Sequence, residues 1–125
     1  MPKVLIVDDE IDNCRMLALG LQMFGFQSEI AVSGAQALAK TQASLPDAIV
    51  LDLMMPDTDG FEVTRYLRAN PDTAKVPIFI VSATADTNAE EYCLQVGATA
   101  FMRKPVSVRE LANVIKKSLT DQGIS

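Results

Sequence analysis

The chain has 125 residues, 49% of them hydrophobic and 22% charged, with a net charge of −5 and no histidine. That length and composition fit one globular domain spanning 1–125 and exclude a disordered chain, so an effector module is expected on another chain. The negative balance argues against a nucleic-acid or anionic-membrane surface, because both need basic patches.

No apolar run approaches membrane-spanning length, and Met1-Pro2-Lys3 leads straight into a strand-like run without the pattern of a signal peptide. Cys14 and Cys93 show no metal-ligand spacing. They read as two reduced, partly buried thiols, and a cytoplasmic location is expected.

In chain order, KVLIV at residues 3–7 predicts the first strand. A helical pattern follows from Ile11 to about Phe24, with Met16, Leu17, Leu19, Leu21 and Met23 as its core stripe and Gly25 as its stop. The run at 28–32 is more polar and predicts an edge strand. Ser33 with Gln36 matches a capping box and opens the second helix. Strand three is expected at 47–51, helix three from Phe61 to Ala69 up to Asn70-Pro71, and strand four at 77–81. Thr87 with Glu90 forms the next capping-box pattern, and Gly97 fits the left-handed residue ending that fourth helix. The fifth strand is expected at 98–102, and Ser107 with Glu110 opens a fifth helix reaching about Leu119. Strands alternating with helices predict a parallel α/β sheet with a core at about 3–120 and a short tail at 121–125.

Functional side chains fall where the apolar runs end: Asp8 and Asp9, Asp52, Ser82 and Lys104. In an open α/β sheet, ligands bind beyond the carboxyl ends of the strands, where strand order reverses. Three carboxylates around one point suit Mg²⁺, and Asp52 is the candidate nucleophile toward a phosphoryl group. Lys104 supplies a mobile positive charge, and Ser82 a hydroxyl donor. Taken singly, Asp8 and Asp9 read better as helix caps than as metal ligands, since caps are far commoner, Asp52 reads as a loop acid and Lys104 as a solvated charge. Their joint occurrence at successive strand ends favours a site.

Asp8-Asp9, Asp52, MMPDTDG at 54–60, Ser82-Ala83 and Lys104-Pro105 together resemble the response-regulator receiver domain of two-component signalling. The resemblance covers about residues 3–120. It implies a doubly wound, five-stranded parallel sheet in flavodoxin-like order 2-1-3-4-5, sandwiched as three α/β/α layers. It also implies that Asp52 accepts a phosphoryl group from a phosphohistidine, and that Mg²⁺ is bound by Asp9, Asp52 and the Met54 backbone carbonyl, with Asp8 acting through a bound water. Ser82 and Lys104 would hold the phosphoryl oxygens, Phe101 would be the switch aromatic, and Pro105 would follow a cis peptide bond. Ser82 stands where many members carry threonine, and Phe101 where some carry tyrosine. The apolar Met54 side chain cannot position an attacking water, which favours a longer-lived phosphorylated state.

The implied donor is a sensor histidine kinase or histidine phosphotransfer protein, docking near Ile11, Cys14, Leu17 and Val106. The output is a downstream protein bound by the face of the fourth helix, fifth strand and fifth helix. Two bonds to a charged phosphoryl group supply roughly 3 to 6 kcal/mol gross, against about 5.5 for a 1:99 to 99:1 switch, so a partial switch is expected. The chain reads as a signalling module without turnover on an external substrate. Other readings are a pseudo-receiver that never takes phosphate, against which Asp9, Asp52 and Lys104 speak; an aspartyl-phosphate phosphatase, which would want an acid at Met54; and a dinucleotide binder, for which a G-x-G-x-x-G is missing.

Overall fold

The computed structural model describes residues 1–56 and 58–123. Five parallel strands form the central sheet: β1 (Lys3–Val7), β2 (Gln27–Ala31), β3 (Ala48–Asp52), β6 (Ile78–Ser82) and β7 (Ala100–Arg103). Two short strands, β4 (Met54–Met55) and β5 (Thr58–Asp59), pair antiparallel on their own. The helices are α1 (Ile11–Gln22), α2 (Gly34–Ala43), α3 (Gly60–Ala69), α4 (Ala89–Gln95) and α5 (Val108–Asp121). Sheet order is β2-β1-β3-β6-β7, which is 2-1-3-4-5 when only the strands of the main sheet are counted.

Alternation along each strand sorts the core into two layers. Leu5, Val7, Ile49, Leu51, Ile78 and Ile80 face α2, α3 and α4, meeting Ala37, Val63, Leu67 and Cys93. Val4, Ile6, Val50, Phe79 and Val81 face α1 and α5, meeting Cys14, Leu21, Leu111 and Ile115. β3 and β6 are buried throughout because helices cover both faces, which is why their sequences lack polar alternation. Each fully buried aliphatic or aromatic side chain here contributes roughly 1.5 to 3 kcal/mol. The polar β2 is indeed an edge strand, paired among the described residues only with β1.

Local signals held unevenly. Ser33 accepts the Gln36 N–H while Gln36 Oε1 reaches back to the Val32 N–H, and Ser107 accepts the Glu110 N–H. The expected Thr87–Glu90 box is absent: the residue before α4 is Asn88, whose own N–H goes to Asp86. α1 stops at Gln22, two residues early, with the Phe26 N–H reaching the Leu21 carbonyl past Gly25 at φ 92°. α5 runs two residues past Leu119, into the segment read as a tail; residues 124 and 125 of that tail lie outside the described residues.

One expectation was wrong in substance. Only Leu21 of the α1 stripe is fully buried, while Met16, Leu19 and Met23 are 71%, 66% and 87% exposed. α1 has two apolar faces, and Cys14, Leu17, Ala18 and Leu21 form the one turned to the sheet.

Candidate functional site

The order reversal at β1 places the carboxyl ends of β1 and β3 side by side, with Val7 opposite Leu51 in register. Asp8 lies one step past β1, yet its N–H still reaches the Ala31 carbonyl at 3.1 Å. Asp52 ends β3, opposite Val81, and Ser82 ends β6, opposite Arg103. Lys104 lies one step past β7, with its N–H held by the Ser82 carbonyl at 2.9 Å. Backbone ladder bonds thus aim each of these residues at the sheet edge.

Asp8, Asp9 and Asp52 each offer a carboxylate oxygen, and these oxygens lie within 4.8 Å of one another. Asp8 and Asp52 are buried, while Asp9 is exposed. Asp8 Oδ1 accepts the Glu10 N–H and Asp52 Oδ1 accepts the Met54 N–H, both at 3.0 Å. Their other oxygens face Lys104, whose Nζ is 3.5 Å from Asp8 Oδ2 and 3.2 Å from Asp52 Oδ2. The capping reading of Asp8 is thereby narrowed to a single bond to Glu10, with the second oxygen left for the cluster.

Burial pushes the Asp52 carboxyl above its ordinary pKa, more than the Met54 N–H and the Lys104 charge draw it down. Burial alone lowers the Lys104 ammonium, but the facing Asp52 and Asp8 carboxylates outweigh it and the net shift is upward. Both directions are consistent, because Lys104 is a third exposed while Asp52 is nearly enclosed.

Ser82 is fully buried, and its Oγ accepts the Thr84 N–H at 3.2 Å, which leaves its own proton to donate. Phe101 is half-buried against the α4 side of the core. The Lys104–Pro105 peptide is cis. A cleft of about 570 Å³ opens beside the acids, lined by Asp8, Asn13, Met16, Leu17, Asp52, Lys104, Pro105 and Val106 among others.

Of the expected donor contacts, Ile11 is 42% exposed, and Leu17 and Val106 border this cleft. Cys14 is corrected: it is fully buried, with its thiol donating to the Asp8 carbonyl at 3.3 Å, so it supports the Asp8 backbone and presents nothing to a partner. Two site-bordering residues were missed. Sequence hydrophobicity places Met16 in the core stripe of α1, and its spacing with Leu19 and Met23 is the signal of a second face. Arg103, beside Lys104, carried no spacing signal at all.

The family model for the response regulator receiver domain matches residues 4–116. The chain belongs to that family. This receiver domain is 38% identical over 122 residues to the transcriptional regulatory protein PrrA of Mycobacterium tuberculosis, covering 98% of this chain and 52% of PrrA. It is 39% identical to the hybrid signal transduction histidine kinase L of Dictyostelium discoideum, covering 92% of this chain and 7% of the kinase. The chain therefore spans about half the length of the first regulators it matches, and far less of the kinase. Among solved structures, the chemotaxis response regulator CheY4 of Vibrio cholerae superposes with a TM-score of 0.87 at 33% identity, covering 95% of this chain and 99% of that one. The receiver domain of the Francisella response regulator 1452 gives 0.89 at 28% identity, covering 98% and 99%. Receiver domains are signalling modules of two-component systems, and the flavodoxin-like order expected from the motifs is the order found.

Proposed function

We propose that this receiver is a phosphoacceptor: Asp52 takes a phosphoryl group from a phosphohistidine on a sensor kinase or histidine phosphotransfer protein. The carrying observation is the convergence of Asp8, Asp9 and Asp52 within 4.8 Å, beside Lys104. Asp52 Oδ2 attacks phosphorus in line, the P–N bond breaks, and its electron pair stays on the imidazole, which is protonated by solvent. The product on this chain is an acyl phosphate.

The donor set fits a hard, oxygen-seeking divalent cation: the Asp9 and Asp52 carboxylates and the Met54 backbone carbonyl would hold it, with Asp8 acting through a bound water. When bound, Mg²⁺ supplies positive charge to the phosphoryl oxygens and relieves the repulsion among the acids. Lys104, already between Asp8 and Asp52, has only to turn toward a phosphoryl oxygen, and the Ser82 hydroxyl has a proton free to donate. The cleft bordered by Met16, Leu17 and Val106 supports docking of the donor next to Asp52. Output is proposed at the α4, β7 and α5 face, where Leu94 is 44% exposed.

The test is incubation with acetyl phosphate with and without Mg²⁺, followed by intact mass. One phosphoryl group should be gained only with the ion and only while Asp52 is present, not in Asp52→Asn. A wild-type chain that gains nothing from acetyl phosphate or phosphohistidine donors is a phosphorylation-independent binding module.

A further inference from the structure

A chain of contacts leads from Ser82 toward α4 and β7, and phosphotransfer itself does not use it. Ser82 Oγ accepts the Thr84 N–H at 3.2 Å, Thr84 Oγ1 accepts the Asp86 N–H at 3.2 Å, and Asp86 Oδ1 accepts the Asn88 N–H at 2.9 Å. Three successive side-chain turns therefore wind the backbone from the end of β6 into α4. Each begins where the last one ends, so displacement of Ser82 Oγ is felt by the whole segment.

The carbonyls of the same segment are held from the other side. Arg103 Nη1 donates to the Thr84 carbonyl at 2.6 Å and Nη2 to the Asp86 carbonyl at 3.2 Å. The guanidinium carbon lies 5.1 Å from the centre of the Phe101 ring. Residues 101 and 103 share a face of β7, so one planar cation can bridge two turns and cover the ring at once. Arg103 is also opposite Ser82 in register and directly precedes Lys104. Arg103 is itself exposed, yet its side chain meets three separate groups, two carbonyls and an aromatic ring.

We propose that Arg103 is a positioning residue that couples Ser82 to Phe101 through the carbonyls of Thr84 and Asp86. This deepens the phosphoacceptor reading and rests on it. A phosphoryl oxygen on Asp52 that accepts the Ser82 O–H draws Oγ toward it. The Thr84 N–H, bound to that same oxygen, follows, and the Thr84 carbonyl moves under Nη1. The guanidinium must then shift or release, and Phe101 loses or regains its cover. The signal thus reaches the α4 and β7 surface through a side chain that touches neither metal nor phosphorus.

The test uses the whole chain, ¹⁵N-labelled, with Mg²⁺ and beryllium fluoride as a tetrahedral phosphoryl mimic. In the wild type, amide shifts should appear at residues 82–84 and also at 89–95 and 100–102. In Arg103→Gln the first group should persist, and the second should fall to less than about half. Arg103→Lys keeps the charge but cannot span two carbonyls and stack flat, so it should behave like the Gln variant. An unchanged second group in Arg103→Gln, or full restoration by Arg103→Lys, overturns the coupling. A wild type with no shifts near Ser82 overturns the phosphoacceptor reading and the coupling with it, and that failure is recognisable because it precedes any substitution.

Discussion

Lys104 Nζ stands 3.2 Å from Asp52 Oδ2, on the side of the carboxylate opposite the Met54 N–H. The ammonium only partly offsets the burial of Asp52, whose carboxyl holds its proton to higher pH in the folded chain than in the unfolded one. The sign follows from proton counting. Below the unfolded carboxyl pKa this group adds its full stability, and that contribution is lost as pH rises through the folded value. Asp52→Asn carries no such loss. In metal-free buffer at neutral pH it should therefore be more stable than the wild type, by on the order of 1 kcal/mol. Urea denaturation at pH 3.5 and pH 7 checks this, and an Asn variant less stable at pH 7 contradicts it.

Asp9 differs from its two companions in being exposed. Asp9→Asn should leave stability in EDTA within about 0.5 kcal/mol of the wild type, as expected for a surface change. Its affinity for Mg²⁺ should nonetheless fall about tenfold or more, because a hard cation loses an anionic oxygen. Thermal melts titrated with Mg²⁺ measure both quantities. Equal Mg²⁺ stabilisation of the two proteins would exclude Asp9 from the ion's coordination.

How much of this was legible beforehand depended on which force set each feature. Strand ends were readable because both faces of β3 and β6 are buried, which forces unbroken apolar runs that stop where chemistry begins. The division of α1 was harder. Met16, Leu19 and Met23 recur at helical spacing just as Cys14, Leu17 and Leu21 do, and hydrophobicity alone does not say which face meets the sheet. Thr87 and Glu90 match the capping pattern, but successive turns through Thr84 and Asp86 carry the chain past Thr87 before α4 begins. Arg103 and Arg68 work through carbonyls distant in sequence, which leave no periodic trace.

Arg68 ties α3 to the segments before β6 and after α4. Its guanidinium donates to the carbonyls of Gly97 at 2.7 Å and Val76 at 2.6 Å, and to Thr73 and Ala74 at 3.3 Å. Gly97 has φ 115°, and a Cβ there would come within 2.6 Å of Arg68 Cγ, so the glycine makes room for the tie. Arg68→Leu strips those carbonyls of their donor and should cost about 2 to 4 kcal/mol. Arg68→Lys should recover little, since one ammonium cannot cover the same spread of acceptors. Equilibrium unfolding decides, and a loss below about 0.5 kcal/mol for Arg68→Leu refutes the role.

Burial, followed by the nearby Asp8 charge, raises the Cys14 thiol from an ordinary 9.0 to about 11. The folded chain keeps this proton while the unfolded chain releases it. Stability present below pH 9 should decline as pH rises toward 11, by on the order of 1 to 2 kcal/mol. Cys14→Ala should show a lower plateau from the lost packing and a flatter alkaline limb. A slope identical to that of the wild type between pH 9 and 11 contradicts the assignment.

The exposed face of α1 separates docking from chemistry. Met16 is 71% exposed and also borders the cleft that reaches Asp52 and Lys104, so under the proposed phosphoacceptor function it lies where a phosphohistidine donor would approach. A carboxylate there would be desolvated without a partner when the donor seats, whereas acetyl phosphate needs no such seating. Met16→Asp should therefore slow transfer from a phosphorylated histidine phosphotransfer protein by about tenfold or more, the effect of losing one interface anchor. Labelling by acetyl phosphate should stay within about twofold of the wild type, and stability within about 0.5 kcal/mol. Parallel time courses with the two donors give the ratio directly. Equal slowing with both would mean that Met16 acts on the Asp52 site itself, and a donor rate equal to that of the wild type would move the docking surface away from α1.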